Sequence, residues 1–139
     1  MIRACQQCGQ RNRVPGAHLA DQGRCGACKA ALPPLAMPVD ADEALFEELV
    51  GQARVPVLVD FWAPWCQPCV LAGPEVAKAA AALSGQAVVA KVNTEQYPAL
   101  AARFGVRSIP NFVVLDAGRV KKQQAGMMNH EQLMRFVQS

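Results

Sequence analysis

The chain has 139 residues and a mass of 14.9 kDa, enough for one ordinary domain plus a small appendage but not for two full cores. Apolar residues make up 52% and charged residues 18%, which excludes a disordered chain, and no apolar run reaches the ~18 residues of a membrane-spanning helix. The formal charge of +3 is too mild to imply nucleic acid by itself.

The first residues, Met1 to Cys8, carry no apolar stretch of the kind a secretory signal needs, so a cytoplasmic location is expected. Residues 1–30 hold four cysteines and four glycines and little that could build a core. Residues 31–38 place three prolines in eight positions, which predicts a stiff, extended connector, and its apolar residues predict that it lies against a domain. The domain boundaries are therefore set at 1–30, 31–38 and 39–139.

From Val39 the pattern alternates between helix and strand. Asp40 is the expected N-cap of a first helix, with Glu43 three residues on and Leu45, Phe46, Leu49 and Val50 as its apolar face. Val55 to Trp62 is a nearly continuous apolar run interrupted by Asp60, as in a strand buried on both faces. A helix is expected from about Cys66 to Leu83, kinked at Pro74. Ala87 to Val92 reads as a second buried strand, and Tyr97 to Phe104 as a short helix closed by Gly105. Asn111–Asp116 and Val120–Gln124 form a hairpin around Ala117-Gly118, and a last helix starts at Asn129. The order α-β-α-β-α-β-β-α predicts an α/β fold: a central mixed sheet with helices on both faces and an antiparallel hairpin at one edge.

The six cysteines fall at 5, 8, 25, 28, 66 and 69, as three Cys-x-x-Cys pairs. A disulfide framework would allow 15 connectivities, but it needs an oxidising compartment that nothing here indicates. Cys66 follows a buried strand directly and opens a helix, with Cys69 one turn on. Unpaired backbone N–H groups and the helix dipole favour an anion at that end, so Cys66 is the expected nucleophile and Cys69 the resolving thiol. Pro68 is tolerated in the first helical turn. Trp62 and Trp65 flank the pair, and for Trp62 core packing and a site role are equally open.

Cys5-x2-Cys8-x16-Cys25-x2-Cys28 has the spacing of a four-cysteine zinc site. Four thiolates suit one tetrahedral, structural zinc, with Gly9 and Gly26 easing the two tight turns. Iron in the same cage and a second redox pair are the lesser alternatives. Residues 1–38 carry five Lys/Arg against one Asp but no aromatic residue, so a solvated surface is expected rather than a nucleic-acid platform. His18 and His130 are expected at the surface.

The run Val57-Leu58-Val59-Asp60-Phe61-Trp62-Ala63-Pro64-Trp65-Cys66-Gln67-Pro68-Cys69 resembles the active-site strand and turn of the thioredoxins, and the similarity extends over residues 39–139. With the N-terminal cysteine module and Asn12-Arg13-Val14-Pro15, the chain is most similar to the thioredoxin 2 group, bacterial thioredoxins with an N-terminal zinc module. The resemblance implies a thioredoxin fold with a small zinc-ribbon-like module. It implies a protein-disulfide reductase acting through Cys66 and Cys69, on protein disulfide substrates, with an NADPH-dependent thioredoxin reductase as partner. It implies that Asp60 assists proton transfer at Cys69, with Lys91 as its charge partner. It implies a substrate surface of Trp65, Gln67, Pro68, Ile109, Pro110 and Gly126, with Ile109-Pro110 cis; from sequence alone the bond would be taken as trans.

Gln67 stands where the family usually has Gly, Asn111 where Thr is common, and Val70 where a basic residue is common. Gln67 is the one feature that favours an oxidase or isomerase on the same fold. A zinc-regulated chaperone or binding module is the other rival.

Overall fold

The structure is a computed structural model that describes residues 1–139. The N-terminal segment forms two small hairpins. Strand β1 (Ile2–Ala4) pairs antiparallel with β2 (Arg11–Arg13), and β3 (Gly23–Arg24) with β4 (Ala31–Leu32). The main sheet has the order β5-β7-β6-β8-β9, built from β5 (Val39–Asp40), β6 (Val57–Trp62), β7 (Val88–Asn93), β8 (Asn111–Asp116) and β9 (Arg119–Ala125). Strands β5, β7 and β6 run parallel, and β8 and β9 are antiparallel to their neighbours. Four helices complete the fold: α1 (Glu43–Gln52), α2 (Gln67–Ala82), α3 (Pro98–Arg103) and α4 (His130–Gln138).

The sheet is covered on both faces because its central strands are apolar on both faces. Val57, Val59 and Phe61 of β6 pack with Phe46 and Leu49 of α1 and Leu100 of α3. Leu58 of the same strand packs with Val76 of α2 and Leu133 and Val137 of α4 on the opposite face. This is the sandwich that alternate side chains of a buried strand require.

Two expectations are corrected. Asp40 is not the cap of α1: it lies in β5 opposite Lys91, and Asp42 caps the helix, its carboxylate accepting the Leu45 N–H at 2.8 Å. Edge strand β5 lies outside the expected order: its two residues carry no periodicity, and parallel pairing with β7 alone makes them a strand. The hairpin turn holds: Ala117 and Gly118 both have positive φ, 52° and 79°. Asn129 and Gln132 close a reciprocal capping box on α4.

The connector does not float. Leu35 is buried in the core face that holds α1, beside Leu19 from the loop between Cys8 and Cys25. The Leu35 N–H donates to the Leu19 carbonyl at 2.9 Å, and the Ser84 hydroxyl to the Pro34 carbonyl at 3.3 Å.

Candidate redox site and metal centre

Strand β6 ends at Trp62, and four residues later Cys66 is the N-cap of α2. Cys66 and Cys69 are joined as a disulfide, with their Cα atoms 5.2 Å apart. Helical spacing puts the two residues on one face, one turn apart. The Cys69 N–H donates to the Cys66 sulfur at 3.3 Å, so one orphan amide of the helix start is aimed at that sulfur, where it would favour a negative charge. Both cysteines are buried to nearly the same degree in the disulfide form. They differ in place: Cys66 sits at the helix end, and Cys69 inside the first turn.

Ala63, Trp62 and Ile109 pack around the pair. The carbonyl oxygen of Ile109 lies 3.7 Å from the Cys66 sulfur, and the Ile109-Pro110 peptide is cis. The Gly126 N–H donates to the Pro110 carbonyl at 2.9 Å, and Gly126 has a φ of +101° with open space where a Cβ would stand. Trp65, just before Cys66, is 71% exposed, and Gln67 and Pro68 are exposed in the first turn of α2. Trp65, Gln67, Pro68, Ile109, Pro110 and Gly126 thus lie in the segments that frame the disulfide.

Asp60 is 1% exposed, with one carboxylate oxygen lacking any hydrogen-bond partner. Its cross-strand neighbours are Lys91 on β7 and Phe112 on β8. Burial pushes its carboxyl up to about 7, and the Lys91 charge lowers it only in part. Lys91 forms no ion pair with it within 4 Å; its ammonium lies 4.5 Å from the Trp62 ring centroid. A half-buried Trp62 accordingly serves both as packing and as the seat of that cation.

At the far end of the chain's N-terminal module, the four remaining sulfurs lie within 4.8 Å of one another. Cys5 and Cys28 are 3.6 Å apart, as are Cys8 and Cys25. Four sulfurs held tetrahedrally at ~2.3 Å from a zinc would be about 3.8 Å apart, so the donor set fits that ion. Each knuckle repeats the same hydrogen bonds. Gly9 N–H donates to Cys5 carbonyl at 2.8 Å, and Lys29 N–H to Cys25 carbonyl at 3.0 Å. The left-handed turn residues are Gly9 and Lys29, at φ +79° and +64°, so Lys29 and not Gly26 takes the position equivalent to Gly9. Asn12 reaches across from β2, accepting the Gly26 N–H at 3.0 Å and donating to the Cys25 sulfur at 3.6 Å. Sequence reasoning did not find that role for Asn12, because only the pairing of the hairpins brings it to the cage.

The histidines do no chemistry at either centre. His18 is exposed and pairs with Asp21 at 2.8 Å, while His130 joins α4 to α2 through Glu75 at 2.9 Å.

Residues 36–139 match the family model described as thioredoxin, and residues 4–30 match the model described as thioredoxin 2, N-terminal. The chain is 42% identical over 116 residues to thioredoxin C-3 of Corynebacterium nephridii, covering 84% of this chain and 79% of that protein. It is 38% identical to a thioredoxin of Haemophilus influenzae, covering 69% of this chain and 90% of that one. A solved mutant thioredoxin from Halobacterium salinarum superposes with a TM-score of 0.66 at 28% identity, over 78% of this chain and 93% of that one. With three-quarters of its length matched and the helix-start cysteine pair in place, the chain belongs to the thioredoxin family.

Proposed function

We propose that the protein is a dithiol reductant of protein disulfides that carries two electrons per cycle. The carrying observation is the Cys66–Cys69 pair at the start of α2, with the Cys69 amide aimed at the Cys66 sulfur. In the reduced protein the Cys66 thiolate attacks one sulfur of a target disulfide. A Cys66–target bond forms and the target's other sulfur leaves as thiolate. Cys69 then loses its proton, attacks the Cys66 sulfur, and releases the second target thiolate. The target's two thiols now hold the two electrons, and the protein is left oxidised as the internal Cys66–Cys69 disulfide.

The Asp60 carboxyl, pushed up to about 7 by burial, is matched to accept the Cys69 proton near neutral pH. Lys91 limits that rise and so tunes the same group. The backbone of Ile109, beside Pro110 and Gly126, pairs with the extended target chain, and Trp65, Gln67 and Pro68 form the opposite wall. Electrons return from an NADPH-dependent thioredoxin reductase.

Residues 1–30 are read as a module holding one structural zinc on Cys5, Cys8, Cys25 and Cys28, joined by residues 31–38 to the thioredoxin domain at 39–139. The ion would supply rigidity and no open coordination position, since four thiolates complete its shell. A cytoplasmic location agrees with a thiolate cage that needs a reducing compartment. No helix is long and apolar enough to cross a membrane.

The reduction potential of the Cys66–Cys69 couple tests this reading. It is expected below the cytosolic glutathione poise, about −220 to −260 mV by extraction. A value at or above that poise would transfer the chain to oxidation or isomerisation, with Gln67 as the altered residue. Cys66→Ser is expected to abolish turnover, and Cys69→Ser to accumulate covalent complexes with targets, read on a non-reducing gel.

A further inference from the structure

Apart from Asp60, the one buried polar side chain of the molecule is Asn111, 6% exposed. It is the first residue of β8, next to Pro110, and points to the face of the sheet that holds Val113 and Leu115. A carboxamide buried there costs stability unless both its ends find partners. Its oxygen accepts from the Gln123 side chain at 3.2 Å, and its nitrogen donates to the Ser108 carbonyl at 3.4 Å. The Gln123 amide also donates to the Phe104 carbonyl at 2.9 Å. Phe104 begins the loop between α3 and β8, and Ser108 lies one residue before Ile109. One side chain on edge strand β9 therefore ties the start of that loop to its end, through Asn111.

The loop's remaining fastenings are few. Val106 N–H reaches back to the Ala101 carbonyl, and the Pro110 carbonyl takes the Gly126 N–H. Apart from these two carboxamides, the only side chain that reaches a loop carbonyl between residues 104 and 110 is Cys66, whose sulfur lies 3.7 Å from the Ile109 oxygen. That contact puts the end of the loop beside the redox pair.

We propose that Asn111 and Gln123 form a positioning pair for protein substrates, fixing the loop whose Ile109 backbone receives the target chain. This rests on the Ile109 groove proposed above. The pair touches neither sulfur, so it acts on capture of an extended polypeptide and not on thiol–disulfide chemistry. A residue that only orders a ground-state contact changes KM and leaves kcat alone.

The test uses Gln123→Glu, an exposed, near-isosteric change that removes both donors. Turnover is followed with two substrates: a protein disulfide, and a small aromatic disulfide with no peptide backbone. The expected result is a KM for the protein substrate raised about three- to ten-fold, the loss of one or two modest hydrogen bonds, with kcat unchanged. The rate on the small disulfide and the reduction potential stay at their original values. Asn111→Ala is expected to give the same KM, and the double variant no more than either single one. Equal slowing of both substrates, a moved potential, or an unchanged protein KM overturns the assignment. Amide exchange separates failure of the groove itself. If a peptide trapped on Cys69→Ser does not protect the Ile109 amide, the groove reading falls and this inference with it. Protection there with normal KM in Gln123→Glu removes the pair alone.

Discussion

Asp60 shows how one residue's chemistry is set by its place. An aspartate at the centre of β6, between Lys91 and Phe112, loses its water without gaining a full set of partners. Its carboxyl is raised from 3.8 to about 7 in the folded chain. A raised folded value means the stability linked to this group is complete below about pH 4, declines as pH rises, and is lost above about pH 7. Asp60→Asn should therefore match the original protein in denaturant midpoint at pH 4 and exceed it at pH 8, by up to about 4 kcal/mol from the size of the shift. The same variant should slow resolution of the mixed disulfide while leaving the first attack by Cys66 unchanged, seen by stopped-flow. The aspartate was legible in the sequence as an interruption in an apolar run. The absence of an ion pair with Lys91 was not, because register gives adjacency and not the direction of a long side chain.

At the scale of elements, α2 and α4 are joined on the face opposite α1. Besides their shared apolar residues, Glu75 of α2 accepts from both the ring and the backbone N–H of His130 at the start of α4. Those bonds, with Lys78 adding to them, hold the Glu75 carboxyl down to about 2. A lowered folded value reverses the sign: the contribution is present above about pH 4.5 and disappears as pH falls toward 2. Glu75→Gln is expected to lower the melting temperature at pH 7 by a few degrees and to leave it unchanged at pH 2. Thermal scans at the two pH values check this. The helices themselves were readable from caps and periodicity, and Asn129 with Gln132 announced α4. The partner of His130 was not, since the residues that meet are 55 apart in sequence. The Gln123–Asn111 tie is similar: Asn111 stood out as a departure from the family pattern, and Gln123 carried no signal of its own.

For the whole molecule, the cysteine module and the reductase domain share a core. Leu19, from between Cys8 and Cys25, is fully buried with Leu35, Phe46 and Leu49. The small module has few apolar residues of its own: Cys5 and Cys25 make a buried cluster only with Leu32 of β4, from the connector. A metal ion held on Cys5, Cys8, Cys25 and Cys28 would supply much of its folding free energy. Stripping the ion with a chelator should therefore lower the melting temperature of the whole chain, not of the module alone. If Leu19 leaves the core, the cost is about 2–5 kcal/mol, the range of a buried leucine lost. Calorimetry before and after chelation, with Leu19→Ala as a second route to the same loss, measures it. Cysteine spacing, strand–helix alternation, and the Cys66–Cys69 helix start were determined by the sequence alone. Each depends on local spacing, which the chain's covalent order dictates. The tertiary structure alone decided the β5 edge strand, the Asp42 cap, the Lys29 turn, the reach of Asn12 to Cys25, and the seating of Leu19 beneath α1. Each of these depends on pairing between distant segments, where burial and hydrogen-bond satisfaction act on contacts that no local pattern records.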